Sequence, residues 1–288
     1  MRTCYHIKPK PVEIWASYVA EIAGRTIAVP SSLSFQNIGQ NLQHLIADQA
    51  IQDAVRSCGK SNWESVKIAF SSYSEARKSV PVYRHLHDDL TSYLDMNRRP
   101  FELKNSRERC RREFQASQSA KGKFRSIDDI LRSDLVELLS EIHRNVGAGD
   151  GSLRKHPIYT RADSKGNRVQ FPSHGDVREL LIKLQDYLQA NFLKYPGLSL
   201  VVAFVGVVHA HPFADGNGRT ARTFFNLLLF SGFASEHFLP ISLAASLSDG
   251  GFILKLRRAM MGGEWDQLAL FFSDALKLSA RLQAGGFS

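Results

Sequence analysis

The chain has 288 residues, of which 43% are hydrophobic and 23% are charged, a balance typical of a soluble globular protein with one or two domains. Its longest apolar stretch, Leu198 to Val208, is interrupted by Ser199 and falls short of the ~20 residues that a membrane-spanning helix requires. The N-terminus lacks the continuous apolar core of a secretory signal peptide. Three cysteines, an odd and widely spaced set, favour neither a disulfide framework nor a zinc knuckle. We therefore expect no membrane partner, no export signal and a reducing cytoplasm.

The net charge of +9 raises the question of nucleic acid or acidic surfaces as partners. Much of this charge lies between residues 98 and 125, in Arg98, Arg99, Lys104, Arg107, Arg109, Arg111, Arg112, Lys121, Lys123 and Arg125. Two interpretations stay open for this stretch, a solvated helix face and a docking patch for an acidic partner. Because no recognised nucleic-acid fold accompanies the charge, we do not expect nucleic acid as a partner.

The spacing of apolar residues predicts that the first 125 residues form a helical region with polar faces. Apolar residues recur at helical spacing at about 11–23, 40–57 and 61–95. In the third segment Val66, Phe70 and Tyr73 share one face and are expected to pack inward.

The helical pattern fails around Pro100, and the segment from Ser117 to Gly122 is small, polar and typical of a linker. We therefore place a boundary near residue 125, with an N-terminal helical region at 1–125 and a second domain at 126–288. Ser126 opens a helix with a pattern like a capping box, in which Asp129 stands where a glutamate is usual. The buried stripe of that helix is expected to comprise Leu131, Leu135, Leu138, Leu139 and Ile142.

A β-hairpin is predicted after the glycine-rich loop at 147–151. Two β-prone runs, Ile158 to Thr160 and Val169 to Phe171, flank a polar turn from Ser164 to Asn167 that contains Gly166. Further helices are predicted at about 175–193, 197–209, 217–232, 251–261 and 264–283.

The segment from His211 to Arg222 places polar residues between two strongly apolar helical segments and reads His-Pro-Phe-Ala-Asp-Gly-Asn-Gly-Arg-Thr-Ala-Arg. Pro212 and the small residues that follow interrupt the helix, so the pattern predicts a loop that leads into a new helix. The start of a helix offers unpaired N–H groups and partial positive charge, which suit a phosphate. Gly216 and Gly218 let the backbone approach such an anion, and Asn217 can take an unusual backbone angle or donate its amide.

Four side chains of this segment predict phosphate chemistry. Arg219 and Arg222 lie three residues apart and share a helix face, where two guanidinium groups can grip a polyphosphate. Asp215 supplies a hard oxygen ligand for Mg²⁺, which usually takes one or two carboxylates plus phosphate oxygens. His211 is suited to accept a proton near neutral pH. This set predicts transfer of a phosphorus-centred group to a hydroxyl.

The segment matches the Fic signature, His-x-Phe-x-(Asp/Glu)-Gly-Asn-Gly-Arg-x-x-Arg, at every specified position. The chain resembles this family over about 126–284, and Gly151-Ser152-Leu153-Arg154 is similar to the Gly-x-x-Arg that precedes the family's hairpin. The resemblance implies an all-α Fic-type helical bundle with a small β-hairpin flap. It also implies a magnesium-dependent protein adenylyltransferase, which moves AMP from ATP to a Ser, Thr or Tyr hydroxyl of a target protein.

The resemblance also implies a role for each site residue. His211 would be the general base, Asp215 would hold magnesium and Phe213 would anchor the loop in the core. The residues that bind the phosphates of ATP would be Gly216, Asn217, Gly218, Arg219 and Arg222. In the flap Val169, Gln170 and Phe171 would pair by their backbone with an extended target segment, as an added strand.

An N-terminal segment resembles the family's inhibitory helix, whose pattern is (Ser/Thr)-x-x-x-Glu-(Gly/Asn) and whose glutamate pairs with the second arginine of the signature. Here Ser32 to Asn37 follows the pattern, with Gln36 in place of the glutamate. A neutral amide forgoes a charge-assisted bond to Arg222, so autoinhibition would be weakened. In the alternative interpretation Ser32 caps a short helix and Gln36 lies on its surface.

The same residues allow other interpretations. His209, His211 and Asp215 could form a metal site. However, side chains that are two residues apart on a helix point to different sides, so His209 is expected to be a core or capping histidine. Asp215 could merely cap a helix.

The function also has alternatives. A non-catalytic Fic-like binding module would lack the base or the metal ligand. Kinase-like Fic variants tend to alter Gly218 and Arg219, so the intact signature favours AMP transfer over a Fic-type phosphotransferase. Self-modification is a further expectation, and the protein would act as a toxin in its own cell or as an effector delivered into a host cell.

Overall fold

The computed structural model describes residues 26–33, 35, 38–72, 103–124, 126–160, 168–248 and 251–285. These residues form eleven α-helices and two short strands, so the fold is all-α, as predicted. Strand β1 is Thr26–Ala28 and β2 is Arg168–Gln170. The helices are α1 Leu42–Arg56, α2 Trp63–Ser71, α3 Leu103–Lys123, α4 Ile127–Arg132, α5 Leu135–Asn145, α6 Val177–Asn191, α7 Pro196–Ala210, α8 Asn217–Gly232, α9 Ile241–Leu247, α10 Gly251–Gly262 and α11 Trp265–Gln283.

Helices α7 and α8 form the centre of the bundle and are buried on almost every side. Both are apolar around most of their circumference, the pattern of a fully enclosed helix. Helix α7 packs against α1, α6, α8 and α11, and α3 and α5 pack against α8. The signature segment joins these two central helices, so its loop is held at both ends by the core.

Several predicted elements are confirmed with small shifts. The capping box at the start of α4 is present: Asp129 N–H donates to Ser126 Oγ at 3.2 Å, and Ser126 N–H donates to Asp129 Oδ2 at 3.0 Å. The expected stripe is buried, but the chain breaks at Ser133 into two helices, α4 and α5, because Asp134 caps a new helix at Val136 N–H. Helix α9 was not predicted. The helix predicted at about 61–95 is described only up to residue 72, where α2 ends at Ser71. The predicted helix at 11–23, Tyr73 and the segment up to residue 95 lie outside the described residues.

The linker predicted from Ser117 to Gly122 is wrong, because these residues continue α3. The small side chains of Ala116, Ser117 and Ala120 are buried where α3 packs against α8, so they permit close helix contact and do not mark a break. The Ser117 hydroxyl donates to the carbonyl of Glu113 one turn earlier, which satisfies it within the helix. Described residues on both sides of position 125 share one hydrophobic core.

Strand β2 carries a neighbour on each edge. On one edge Thr160 N–H donates to the Val169 carbonyl at 2.8 Å, and Phe171 N–H donates to the Ile158 carbonyl at 3.1 Å. On the other edge β1 runs parallel to β2, with Ile27 opposite Val169. The predicted turn from Ser164 to Asn167 lies outside the described residues, so the complete hairpin stays a prediction. The parallel strand was not predicted.

Among the helices of the described segments, none is both long enough and apolar enough to cross a membrane.

Candidate active site

His211 follows the last residue of α7 and has a left-handed backbone conformation, with φ of 47°. A non-glycine residue with positive φ is uncommon, and surrounding contacts must hold it. The ring stacks on Phe171 with centroids 3.6 Å apart, and Nδ1 lies 3.0 Å from the Val208 carbonyl. A carbonyl only accepts hydrogen bonds, so Nδ1 carries the proton and the lone pair is on Nε2. Nε2 is therefore the nitrogen of His211 that can accept a proton.

Burial lowers the pKa of His211 from 6.5 to about 4. The hydrogen bond to Val208 opposes this shift, and the positive charge of Arg154 adds to it. A folded-state pKa below neutrality means that the ring is unprotonated at pH 7, which is the form that a general base requires.

Arg154 holds the backbone around His211. Its buried guanidinium donates to the carbonyl of His211 at 2.7 Å, and it also donates to the carbonyls of His156, Pro172 and Ala210. One side chain thus joins the end of α7 to the segment that follows β2. The sequence picked out Arg154 only through the Gly-x-x-Arg resemblance, and the structure gives it a physical task.

The loop after His211 is closed by Asn217. The Asn217 side chain accepts from Phe213 N–H at 2.8 Å and donates to the Phe213 carbonyl at 2.7 Å. Its amide is therefore committed to the loop, and the groups that remain for an anion are the backbone N–H groups at the start of α8. Gly216 has φ of 79°, the left-handed region that favours glycine. Phe213 is fully buried, as predicted for a core anchor.

Asp215 and Arg219 lie together at the mouth of this loop. The Asp215 side chain is 87% exposed, and its Oδ2 lies 3.1 Å from Arg219 Nη2. Arg219 also donates to the Gly147 carbonyl at 3.3 Å. Within the described part of the chain, no three His, Cys, Asp or Glu side chains are grouped closely enough to hold a metal ion by themselves. A single exposed carboxylate beside a phosphate site fits Mg²⁺, which takes its remaining ligands from phosphates and water.

His209 is a core histidine, as expected. It is buried, and its Nε2 donates to the Pro30 carbonyl at 2.8 Å.

Arg222 makes an ion pair that sequence reasoning missed. Glu113 of α3 accepts three hydrogen bonds from Arg222, at 2.6, 3.1 and 3.1 Å, and is only 1% exposed. Burial opposes the charge of Arg222, but the Glu113 carboxylate outweighs it, so the pKa of Arg222 is raised. The sequence contains one indication of this pair. Cys110, Glu113 and Ala120 lie on the same buried face of α3, and a buried carboxylate is costly unless a positively charged side chain pairs with it.

The N-terminal motif is only partly visible. Ser32 is exposed, whereas Gln36 and Asn37 lie outside the described residues. An inhibitory role for Gln36 therefore stays a prediction. In the described residues, the partner of Arg222 is Glu113.

Part of the chain is similar to known proteins. Residues 130–229 match the model of the Fic/DOC family. Over 107 residues it is 36% identical to proteins named "Protein adenylyltransferase Fic" from Culex quinquefasciatus and Aedes aegypti, a match that covers 34% of this chain and 20% of each relative. A relative of the same name from Drosophila willistoni is 35% identical over 101 residues.

The Fic/DOC match thus spans about a fifth of the length of the curated relatives. A solved structure of a Fic-1 fragment from C. elegans aligns with 83% of this chain and 71% of that chain, at 18% identity and a TM-score of 0.47. The residues that match the Fic/DOC model include His211 to Arg222, as well as Arg154 and the strand β2.

Proposed function

We propose that the protein is an adenylyltransferase that moves AMP from ATP to a hydroxyl side chain of a target protein. The observation that supports this most directly is the state of His211, a neutral imidazole whose Nε2 lone pair is available beside the helix start that suits phosphate. The relatives named protein adenylyltransferase agree with it. A base in this state, next to an anion site, fits activation of a hydroxyl.

In the proposed reaction His211 Nε2 takes the proton from the target hydroxyl while its oxygen attacks the α-phosphorus of ATP. The new bond joins that oxygen to phosphorus, the bond between the α-phosphorus and its bridging oxygen breaks, and pyrophosphate leaves. Arg219 and the first N–H groups of α8 bind the phosphates and stabilise the charge that develops on them. Asp215 would hold Mg²⁺, which supplies further neutralisation of phosphate charge when it is bound.

Arg222 differs from Arg219 in the proposed reaction, because its guanidinium already donates hydrogen bonds to the Glu113 carboxylate. We expect a phosphate of ATP to compete with Glu113 for the same guanidinium. A buried carboxylate with three hydrogen bonds is a strong competitor, since charge-assisted bonds are roughly twice as strong as neutral ones. Autoinhibition through this pair is therefore part of the proposal.

The target would present its hydroxyl from an extended segment near Val169, Gln170 and Phe171, because Phe171 stacks on the base. Candidate targets include a second copy of this chain, through self-modification.

We expect the reaction to take place in the cytoplasm of the producing cell or of a host, where ATP is abundant. The basic residues Arg107, Arg109, Arg111 and Arg112 are exposed along α3, the arrangement of a solvated helix face.

ATP labelled separately at the α- and γ-phosphates tests the reaction type. We expect protein-bound label from α-labelled ATP alone, with γ-label released as pyrophosphate. Protein-bound γ-label without α-label would identify a phosphotransferase and overturn the proposal. Absence of protein-bound label from both would favour a binding module.

A further inference from the structure

A second histidine lies directly under the signature loop. His143 of α5 is 4% exposed, and its ring stacks on Phe213 with centroids 4.0 Å apart. Its Nε2 lies 2.9 Å from the backbone carbonyl of Asp215. Because the carbonyl accepts, Nε2 is the donor, and the bond restrains the residue whose carboxylate would hold magnesium.

The His143 ring is also confined from two sides. A Cβ at Gly149 would lie 2.7 Å from Cε1 of the ring, and a Cβ at Gly216 would lie 3.2 Å from its Nε2 and 2.4 Å from Ala148 Cβ. Glycine at both positions lets the loop close onto the ring. His143 Nδ1 is buried and has no hydrogen-bond partner among the described residues. The ring orientation is therefore set by the Asp215 bond and by stacking on Phe213.

We propose that His143 is a positioning residue, which fixes the Asp215 backbone so that the exposed carboxylate meets the metal bound to ATP. The proposal rests on the proposed function, because it gives Asp215 the magnesium. A plain core histidine would add stability without affecting magnesium, so magnesium dependence separates the two.

Two variants divide the contacts of His143. His143→Phe keeps an aromatic ring on Phe213 and removes the donor, whereas His143→Gln keeps an N–H donor at similar reach and removes the ring. The readout is the magnesium concentration that gives half-maximal binding of a fluorescent ATP analogue, measured together with the melting temperature. We expect His143→Phe to raise that concentration about tenfold, the effect of one lost hydrogen bond, and His143→Gln to recover part of the loss.

An unchanged magnesium requirement in His143→Phe would overturn the proposal, as would equal losses in the two variants. A wild-type protein that bound no ATP would count against the proposed function instead. In that case the amide exchange rates of the loop from Asp215 to Asn217, which a ring current does not change, still report on positioning: they should rise more in His143→Phe than in His143→Gln, and the reverse order would overturn the inference.

A separate observation concerns β2. The backbone of Gln170 faces β1, since its carbonyl accepts from Val29 N–H at 2.9 Å, while Val169 and Phe171 bond to the opposite neighbour. Both edges of β2 are therefore occupied by this chain. An extended target segment has no free edge on this strand while β1 is in place.

The segment that follows β1 is held in several places. Val29 is buried, the Pro30 carbonyl accepts from His209, and Phe35 packs on Tyr187 with centroids 5.0 Å apart. We infer that the segment 26–30 is an intramolecular occupant of the docking edge, which a target strand must replace. This inference also rests on the proposed function, because it takes β2 as the docking strand.

Val29→Pro and Val29→Ala form a pair, because both remove the β-branched side chain of Val29 and only proline removes the N–H that donates to the Gln170 carbonyl. Two readouts that need no ATP are the amide exchange rate of Gln170 and capture of a fluorescent peptide with the sequence of residues 24–33. We expect Val29→Pro to speed exchange at Gln170 about tenfold relative to Val29→Ala, with Phe171 unchanged, and to bind the peptide more tightly. Equal exchange or equal peptide binding in the two variants would overturn the inference.

Discussion

The two halves of the site differ in how ready they are for chemistry. On the base side, Arg154 and Asn217 hold the backbone, and His211 is neutral with its accepting nitrogen free. On the phosphate side, Arg222 is bound by Glu113, a carboxylate from another helix. In the proposed function, the base side is thus assembled before a substrate binds, whereas Glu113 on the phosphate side competes with the phosphates of ATP for Arg222.

The difference indicates where control can act. A preorganised base costs nothing at the moment of reaction. In the proposed function, an occupied arginine makes nucleotide binding depend on a carboxylate that can be displaced. Changes on the base side should therefore affect the rate of transfer, and changes on the phosphate side should affect the ATP concentration that is needed.

The largest expected effect is that of His211→Ala. This variant removes the proton acceptor and leaves the phosphate side intact, so transfer from α-labelled ATP should fall about 10²–10⁴-fold while ATP binding persists. His174→Ala, which changes an exposed histidine, is the control and should label normally. Labelling of His211→Ala at the wild-type rate would exclude His211 as the base.

Arg154→Lys should have the next largest effect. Lysine keeps the charge but cannot reach several carbonyls at once, so the backbone of His211 loses its support. We expect at least a tenfold loss of transfer and a loss of stability of roughly 1–3 kcal/mol, because buried carbonyls lose their donors. Thermal unfolding and single-turnover labelling measure the two, with Arg168→Lys on the exposed surface as control. A variant with full stability and full activity would remove Arg154 from this role.

The pH dependence should show a smaller effect. The folded-state pKa of His211 is lowered to about 4, so its base form persists as the pH falls through 6.5 and is lost only near 4. Transfer per bound ATP should therefore change little between pH 7 and pH 5.5. The buried neutral ring contributes stability that is present above pH 6.5 and lost as the pH falls toward 4. Loss of half the transfer rate near pH 6.5 would contradict this interpretation of the ring.

The sequence predicted the parts of the site that lie next to one another in the chain. His211 to Arg222 carry their chemistry in one short loop, and the apolar runs on either side predict the helices that hold it. The contacts of His143 and Glu113 come from α5 and α3 and join residues 72 and 109 positions apart, which no local pattern records. The linker was wrongly predicted at Ser117 to Gly122 for the same reason. Small residues suggest a break in a helix when the helix that packs against them, here α8, is not known from the sequence.

Glu113→Gln tests the difference between the two sides most directly. The change keeps the shape and removes the charge, so Arg222 loses its ion pair and becomes available to phosphate. Glu108→Gln, an exposed position on the same helix, is the matched control. We predict that Glu113→Gln lowers the melting temperature without nucleotide, yet needs less ATP for half-maximal labelling than wild type or the control. An unchanged or raised ATP requirement would contradict the account of an occupied phosphate side.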